Sequence, residues 1–357
     1  MHRMDELLRT VVAEGGSDLH LTPHRRPMMR RFGDLRELSW DVTDAEGIRE
    51  MLSEIQPEAV RKEFADGFEA TFAHEIPGVA RFRVHIFRHD QGVAAAIRIV
   101  SHGIPEPDDL GLPQAVSDFA RLERGVVLVT GPRGAGKSTT MASLLQQIAR
   151  NHPRHIITLE DPVEFVLPPG RSVIQQREVG RTVASVAAGL RSAVREDPDV
   201  LMVHELRGAE VFELALEASE AGVLVLGSLP TASVRKTLSR IVAAFPREER
   251  PRILGMMADN LRGVVAQVLL RKDSTEGRVL GLELMNVNGP MAQLIREERI
   301  HQIPALIQTG RKSGNQLLDQ HLMDLLMEGV IHAEEAHAWA RQRDVFSAYL
   351  DSAQREA

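Results

Sequence analysis

The chain contains no cysteine among its 357 residues. That excludes disulfides, thiolate zinc sites and cysteine nucleophiles, and it fits a reducing, cytoplasmic setting. Aromatic residues make up only 4%, and the net charge is −7 with both signs mixed along the chain. A nucleic-acid binder carries a basic face and, for single strands, a row of stacking aromatics, so no nucleic-acid partner is expected. Long apolar runs are missing too: none approaches the roughly 20 residues that span a bilayer. The opening MHRMDELLRTVVAEGG is amphipathic and acidic early on, unlike a secretory signal. No membrane insertion is expected.

What remains is an ordinary globular composition, 43% hydrophobic and 26% charged, with length for two domains. Met4, Leu7, Leu8, Val11 and Val12 recur at helical spacing over 4–15. SDLHLT reads as a short alternating strand, 44–64 as one or two helices interrupted near Pro57, and RFRVHIF (81–87) as a strand. In that strand Phe82, Val84 and Ile86 face one way, and Arg81, Arg83 and His85 the other. HDQG then marks a hairpin and VAAAIRIV its return strand. Residues 1–101 are therefore expected to be a small α+β domain, and the proline- and glycine-rich stretch 102–113 a linker. Beyond it, GVVLVT, HIITLE, DVLMVHE and GVLVLGSL alternate with helical patterns at 138–150 and 209–221. Apolar strands between helices predict a parallel sheet covered on both faces over 114–289. From 290 to 357 the pattern is helical, with Leu317, Leu318, Leu322, Leu325 and Leu326 as a packing stripe.

The strongest chemical signal is GVVLVTGPRGAGKSTT, which contains G-x-x-x-x-G-K-S between an apolar strand and a helical pattern. Gly131, Pro132, Arg133, Gly134, Ala135 and Gly136 form a loop whose backbone N–H groups can cradle phosphates at a helix N-terminus. Lys137 supplies a cation for the β- and γ-phosphates, the Ser138 hydroxyl a ligand for Mg²⁺, and Thr139 continues the helix start. ATP and Mg²⁺ are the expected cofactors.

Two further strand ends carry acids. IITLEDPVEF places Glu160 and Asp161 just past an apolar strand, where sheets of this kind face their ligand. Glu160 could orient or deprotonate an attacking water; a solvated turn acid or a cap is the plain alternative. VLMVHELRG ends on Glu205, placed like a Mg²⁺-linked carboxylate. The His-Glu pair opens a zinc signature, but Gly208 stands where its second histidine would be, so zinc is rejected. His204 reads as a hydrogen-bonded buried histidine on the opposite side of the strand from Glu205. Arg81, Arg83 and Arg98 make a basic strand face, either merely solvated or aimed at a neighbour's phosphates.

Together these strings resemble the type II/type IV secretion ATPase superfamily, in particular its PilT/PilU-type retraction motors of type IV pili. The likeness runs along nearly the whole chain. SDLHLT with PMMRRFGDL is similar to the family's first, PAS-like α+β domain, and RFRVHIF with AIRIV to its arginine-bearing strands. GPRGAGKSTT is similar to its Walker A loop, IITLEDPVEFV to its acidic box, and LRSAVREDPDVLMVHELR to its Walker B segment. IQQREVG is a distinctive family string, and LIREERIHQIPALIQTGRKSGNQLLDQ is typical of the retraction branch. The resemblance implies a PAS-like domain followed by a RecA-like P-loop ATPase core with C-terminal helices. It implies Glu160 as catalytic base, Glu205 as the Walker B acid, and Arg81, Arg83 and Arg98 as phosphate sensors across a subunit boundary. It also implies a homo-hexameric ring at the inner-membrane base of a pilus machine. The implied partners are the platform protein there and, alongside it, a second retraction ATPase.

Departures from the family pattern bear on rate. His204 stands where the family has glycine, Gly208 where it has aspartate, and Ala292 where it has arginine. Val223 and Pro230 replace two histidines, and Arg133 replaces a small polar residue. Losing one preorganised donor costs ~10²–10³ in rate. Two functions stay open: a working retraction motor, and a catalytically weakened paralogue serving as an accessory ring subunit. His204 is expected to hinder turnover by filling space beside the nucleotide.

Overall fold

Alternation along Ala80–His89 buries Phe82, Val84 and Ile86 and leaves Arg81, Arg83 and His85 half-exposed on the other face. The computed structural model describes residues 3–100, 103–273 and 277–356. Its contacts divide into two units, Met1–Gly103 and Ile104–Ala357. The expected domain boundary at 101/102 lies outside the described residues.

In the first unit, six strands form an antiparallel sheet: β1 (Asp18–Leu21), β2 (Met28–Arg31), β3 (Asp34–Glu37), β4 (Glu69–Ile76), β5 (Ala80–His89) and β6 (Gly92–Val100), in the order β3-β2-β1-β6-β5-β4. Helices α1 (Arg3–Ala13), α2 (Ala45–Ile55) and α3 (Glu58–Asp66) accompany it. The helical stripe Met4, Leu7, Leu8 and Val11 and its counterpart Ile48, Met51, Leu52 and Ile55 pack with Phe82, Val84 and Ile97 in one apolar core. Asp44 caps α2 by accepting from the Gly47 N–H at 2.8 Å, and Pro57 separates α2 from α3. The hairpin β2–β3 and the edge strand β4 were not foreseen. MMRR and DLRE are too short and polar to show alternation: β2 buries one residue and the edge strand β3 none.

The second unit opens with packed chain: Ile104 and Leu112 are buried, and Glu106 binds Gln146 at 3.0 Å and pairs with Arg150. From 104 onward, the proline-rich stretch is thus part of this unit's surface. After a short helix α4 (Gln114–Ser117), the sheet strands are β7 (Gly125–Thr130), β8 (His155–Glu160), β9 (Val173–Glu178), β10 (Val200–His204), β11 (Leu224–Leu229), β12 (Leu261–Arg271) and β13 (Arg278–Asn286). Their order is β13-β12-β7-β11-β10-β8-β9. All neighbours run parallel except β12 and β13, so the expected parallel sheet is mixed, with an antiparallel edge. LRGVVAQVLLR shows no two-residue period because nearly all of its residues are buried.

Alternate residues of β7 feed two separate cores. Val127 and Val129 pack with Met141, Leu144 and Leu145 of α5 (Lys137–Asn151). Val126 and Leu128 pack toward α6 (Val186–Ala193), α7 (Ala209–Glu220), α8 (Val234–Ala243) and α9 (Arg250–Asn260). Covering both faces is what permits the all-apolar central strands. The chain ends in α10 (Gly289–Arg296), α11 (Ile303–Thr309), α12 (Leu318–Met327), α13 (Ala333–Trp339) and α14 (Arg343–Glu356). Leu318, Leu322 and Leu325 pack with Phe346 against Val268 and Leu270 of β12.

An ion pair on a buried carboxylate ties this helical end to the sheet. Glu283 on β13 is 1% exposed. It accepts from the Val234 N–H at 3.1 Å and from Arg341 Nη1 at 2.9 Å, with Arg341 Nη2 also on the carboxylate and on the Ala232 carbonyl. Removing one partner strands a buried charge. Arg341→Met is expected to lower unfolding stability by about 2–4 kcal/mol. Adding Glu283→Leu should recover most of it, as a denaturant series on the two variants would measure.

Candidate functional site

The carboxyl ends of β7, β8, β10 and β11 lie side by side, because their parallel register pairs Thr130 with Leu229 and Glu160 with His204. The chain leaves β7 into the Gly131–Gly136 loop and enters α5 at Lys137. A Cβ at Gly131 would run into the Gln267 carbonyl, so only glycine lets the loop pass this close to β12. Gln267 holds the loop from the same side: its Nε2 donates to the Ala135 carbonyl at 2.6 Å. Lys137 is buried, and its ammonium donates to the carbonyls of Gly131 and Pro132 at 2.9 and 3.1 Å. Burial lowers its pKa, while the Glu205 and Glu164 carboxylates pull it back up. Arg133 and Gly134 are exposed at the loop tip, Pro132 is half-buried, and Ser138 and Thr139 are half-buried at the helix start.

Glu160 is not past its strand but is the last residue of β8, and it is only 4% exposed. Thr158 Oγ1 donates to its Oε1 at 2.6 Å and Gln176 Nε2 at 3.2 Å. Burial outweighs these donors and pushes the carboxyl up to about 7. A carboxyl poised there can take a proton from water near neutral pH. Asp161, by contrast, is exposed. Glu205 lies one residue beyond β10, with its side chain 12% exposed. Arg207 Nε and Nη2 both donate to its Oε2, at 3.0 and 2.8 Å.

His204 is indeed hydrogen-bonded: Nδ1 meets Ser228 Oγ at 2.7 Å. Yet it is only partly buried, and together with Ser138, Glu160 and Gln176 it lines a small pocket. Burial lowers its pKa below the ordinary histidine value, with Glu164 and Glu205 opposing. Gly208 adopts φ 84°, ψ 159°, a conformation that nearly only glycine enters, so an acid there would need a different backbone. Val223 is buried beside the start of β11, level with the beginning of β7 and hence at the far end of the strands from the loop. Its replacement of a histidine therefore lies away from the Gly131–Gly136 loop. Pro230 is exposed directly after β11, where Leu229 accepts from the Gly131 N–H at 3.1 Å.

Arg81, Arg83 and Arg98 form a group of their own in the first unit. Arg83 and Arg98 are register partners across β5 and β6, and Arg98 Nε binds Asp18 at 2.9 Å. Several site neighbours went unforeseen: Glu164, Gln176, Gln267 and Ser228. Gln176 ties the loop after Glu160 in place, donating to the Phe165 carbonyl at 2.7 Å and accepting from the Leu167 N–H at 2.9 Å. The string IQQREVG singled it out, but without a strand assignment its direction was unreadable.

Oxygen donors from Ser138 and Glu205 suit Mg²⁺, which takes one or two side-chain oxygens and completes its shell with phosphate and water. Among the described residues no group of three or more potential ligands is gathered, and Mg²⁺ held partly by phosphate requires none. The pair fits the ion.

A strand–loop–helix cradle with acids at two neighbouring strand ends defines a P-loop nucleotide-binding protein. The family model for type II/IV secretion system proteins matches residues 2–355, and the chain belongs to that family. It is 39% identical over 336 residues to PilT, a type IV pilus retraction ATPase of Pseudomonas aeruginosa, covering 94% of this chain and 97% of that protein. It is 33% identical to PilU, a type IV pilus ATPase of the same organism, covering 94% and 88%. A crystal structure of the pilus retraction motor PilT with bound ADP superimposes with a TM-score of 0.87 at 36% identity, over 96% of this chain and 98% of that one.

The raised Glu160 pKa has a consequence for stability. Between its ordinary value of 4.5 and about 7 the folded chain keeps a proton that the unfolded chain has lost. This contribution is fully present below pH 4.5 and lost as pH rises through about 7. Glu160→Gln should therefore match the parent near pH 5 and exceed it by about 2–3 kcal/mol at pH 8, read from unfolding midpoints across that range.

Proposed function

We propose that the chain is an ATP-hydrolysing motor subunit of the type IV pilus retraction kind. The observation that carries this reading is a buried carboxyl, Glu160, poised near neutrality beside a P-loop. In this reading Lys137 neutralises the β- and γ-phosphates, and Ser138 with Glu205 holds Mg²⁺. Glu160 orients or deprotonates the attacking water. The Gly131–Thr139 loop binds ATP, as the ADP-bound relative supports. Arg81, Arg83 and Arg98 act on the nucleotide of a neighbouring subunit in a homo-hexameric ring. The ring works in the cytoplasm at the inner-membrane base of the pilus, against its platform protein and alongside a second retraction ATPase. Among the described residues no helix is long and apolar enough to cross a membrane.

Turnover of ATP by the purified chain, measured with its oligomeric mass, tests this. Hexamers with turnover well above a Lys137→Ala control are expected; hexamers without it would sink the reading. Glu160→Gln should lower kcat by ~10²–10⁴ and change ADP affinity by less than about threefold.

Pro230 favours a second reading, a slowed accessory subunit, because proline beside the loop has no donor to offer. If that holds, Pro230→His raises turnover severalfold. Val223→His does not, and it lowers the unfolding midpoint because it buries an imidazole. No gain from Pro230→His leaves the full motor as the answer.

A further inference from the structure

His204 stands where the family pattern has glycine, so any work it does belongs to this chain and not to the family's shared machinery. It ends β10 as the register partner of Glu160 in the neighbouring parallel strand. Its imidazole lines the same pocket as the Glu160 carboxylate and the Ser138 hydroxyl. Met202, two residues earlier on the same face, lines that pocket too, against Met141 and Ala142 of α5. The side chain therefore points toward the helix that begins at the phosphate loop.

The partner of its other nitrogen decides what the imidazole presents. Ser228 is 0% exposed, and His204 Nδ1, at 2.7 Å, is the one hydrogen-bond partner of its hydroxyl among the described residues. A buried hydroxyl that fails to donate pays the desolvation of its O–H. Ser228 therefore donates to Nδ1, and the ring proton sits on Nε2. In the imidazolium form Nε2 carries a proton as well, so its donor character does not depend on titration. Among the described residues Nε2 has no hydrogen-bond partner.

From this geometry we infer that His204 Nε2–H is an additional donor to the transferring phosphoryl group, oriented by Ser228. In phosphoryl transfer the charge to be stabilised spreads over the equatorial oxygens of that group, where a fixed donor is most useful. A glycine here offers no side-chain donor. On this proposal His204 raises turnover where obstruction would lower it, and its ring is held by the Ser228 bond at the level of Glu160. Ser228 acts through His204 and is a positioning residue.

This inference rests on the proposed ATP hydrolysis, and the test separates the two. Wild type, His204→Gly, His204→Gln and Ser228→Ala are compared for kcat and KM with ATP, and for affinity toward ADP alone and ADP with aluminium fluoride, a mimic of the transferring group. His204→Gly is expected to lower kcat by about 10²-fold with KM within about threefold. It should lose a similar factor of preference for the aluminium fluoride complex over ADP. His204→Gln, whose amide can donate, should recover part of both, and Ser228→Ala should show a smaller loss of both. Turnover of His204→Gly at or above wild type overturns the proposal. So does a fall in kcat with the aluminium fluoride preference intact, which would make His204 a packing residue. If wild type itself turns over no faster than Lys137→Ala, the hydrolysis reading fails, and the aluminium fluoride preference still decides the role of His204.

Discussion

The register of four parallel strands governs this site. Hydrogen bonding aligns β8 with β10 so that Glu160 and His204 end level, and aligns β11 with β7 so that Leu229 and Thr130 do. A slip of one residue in any pair would turn every side chain of that strand to the other face. Glu160 would then leave the pocket it shares with Ser138. The register is held by burial on both faces: Val127 and Val129 belong to one core, Val126 and Leu128 to the other. Two-sided packing of this kind resists slippage, so the buried middles of the strands fix where the polar groups at their ends stand.

Around that frame the chemistry is arranged by local polar contacts. The Glu160 carboxyl is dry enough to sit near neutrality although Thr158 and Gln176 both donate to it. Arg207 grips Glu205 on the rim, while Gln267 props the phosphate loop from β12. Each of these helpers comes from a different element, and two of them come from strands that the amino-acid pattern concealed. β9 is concealed because VIQQRE is an edge strand with polar residues, and β12 because burial on both faces leaves it no two-residue period.

The departures from the family pattern separate once they are placed. Val223 lies at the end of its strand away from the Gly131–Gly136 loop, whereas Pro230 lies next to that loop. Gly208 is bound up with a backbone conformation that suits little else. His204, an intrusion when set against the family pattern, is hydrogen-bonded to Ser228, as the strand pattern alone suggests. These four substitutions, alike in a linear comparison, thus divide into one that is remote, one that is adjacent, one tied to its backbone conformation and one held by a hydrogen bond.

The chain's own pattern determined that a phosphate loop would sit between an apolar strand and a helix, since glycine spacing and a lysine-serine pair are local features needing only neighbours in sequence. It determined the amphipathic faces of α1 and α12 for the same reason, that helical periods are short-range. It could not determine which side chains meet across strands. Ser228 is 24 residues from His204, and Gln267 is 132 from Ala135. Contacts over such separations depend on strand order, and strand order follows from packing two faces of one sheet at once. That choice is made only when the whole core assembles, and it is what put a histidine, a serine and a carboxylate around one pocket.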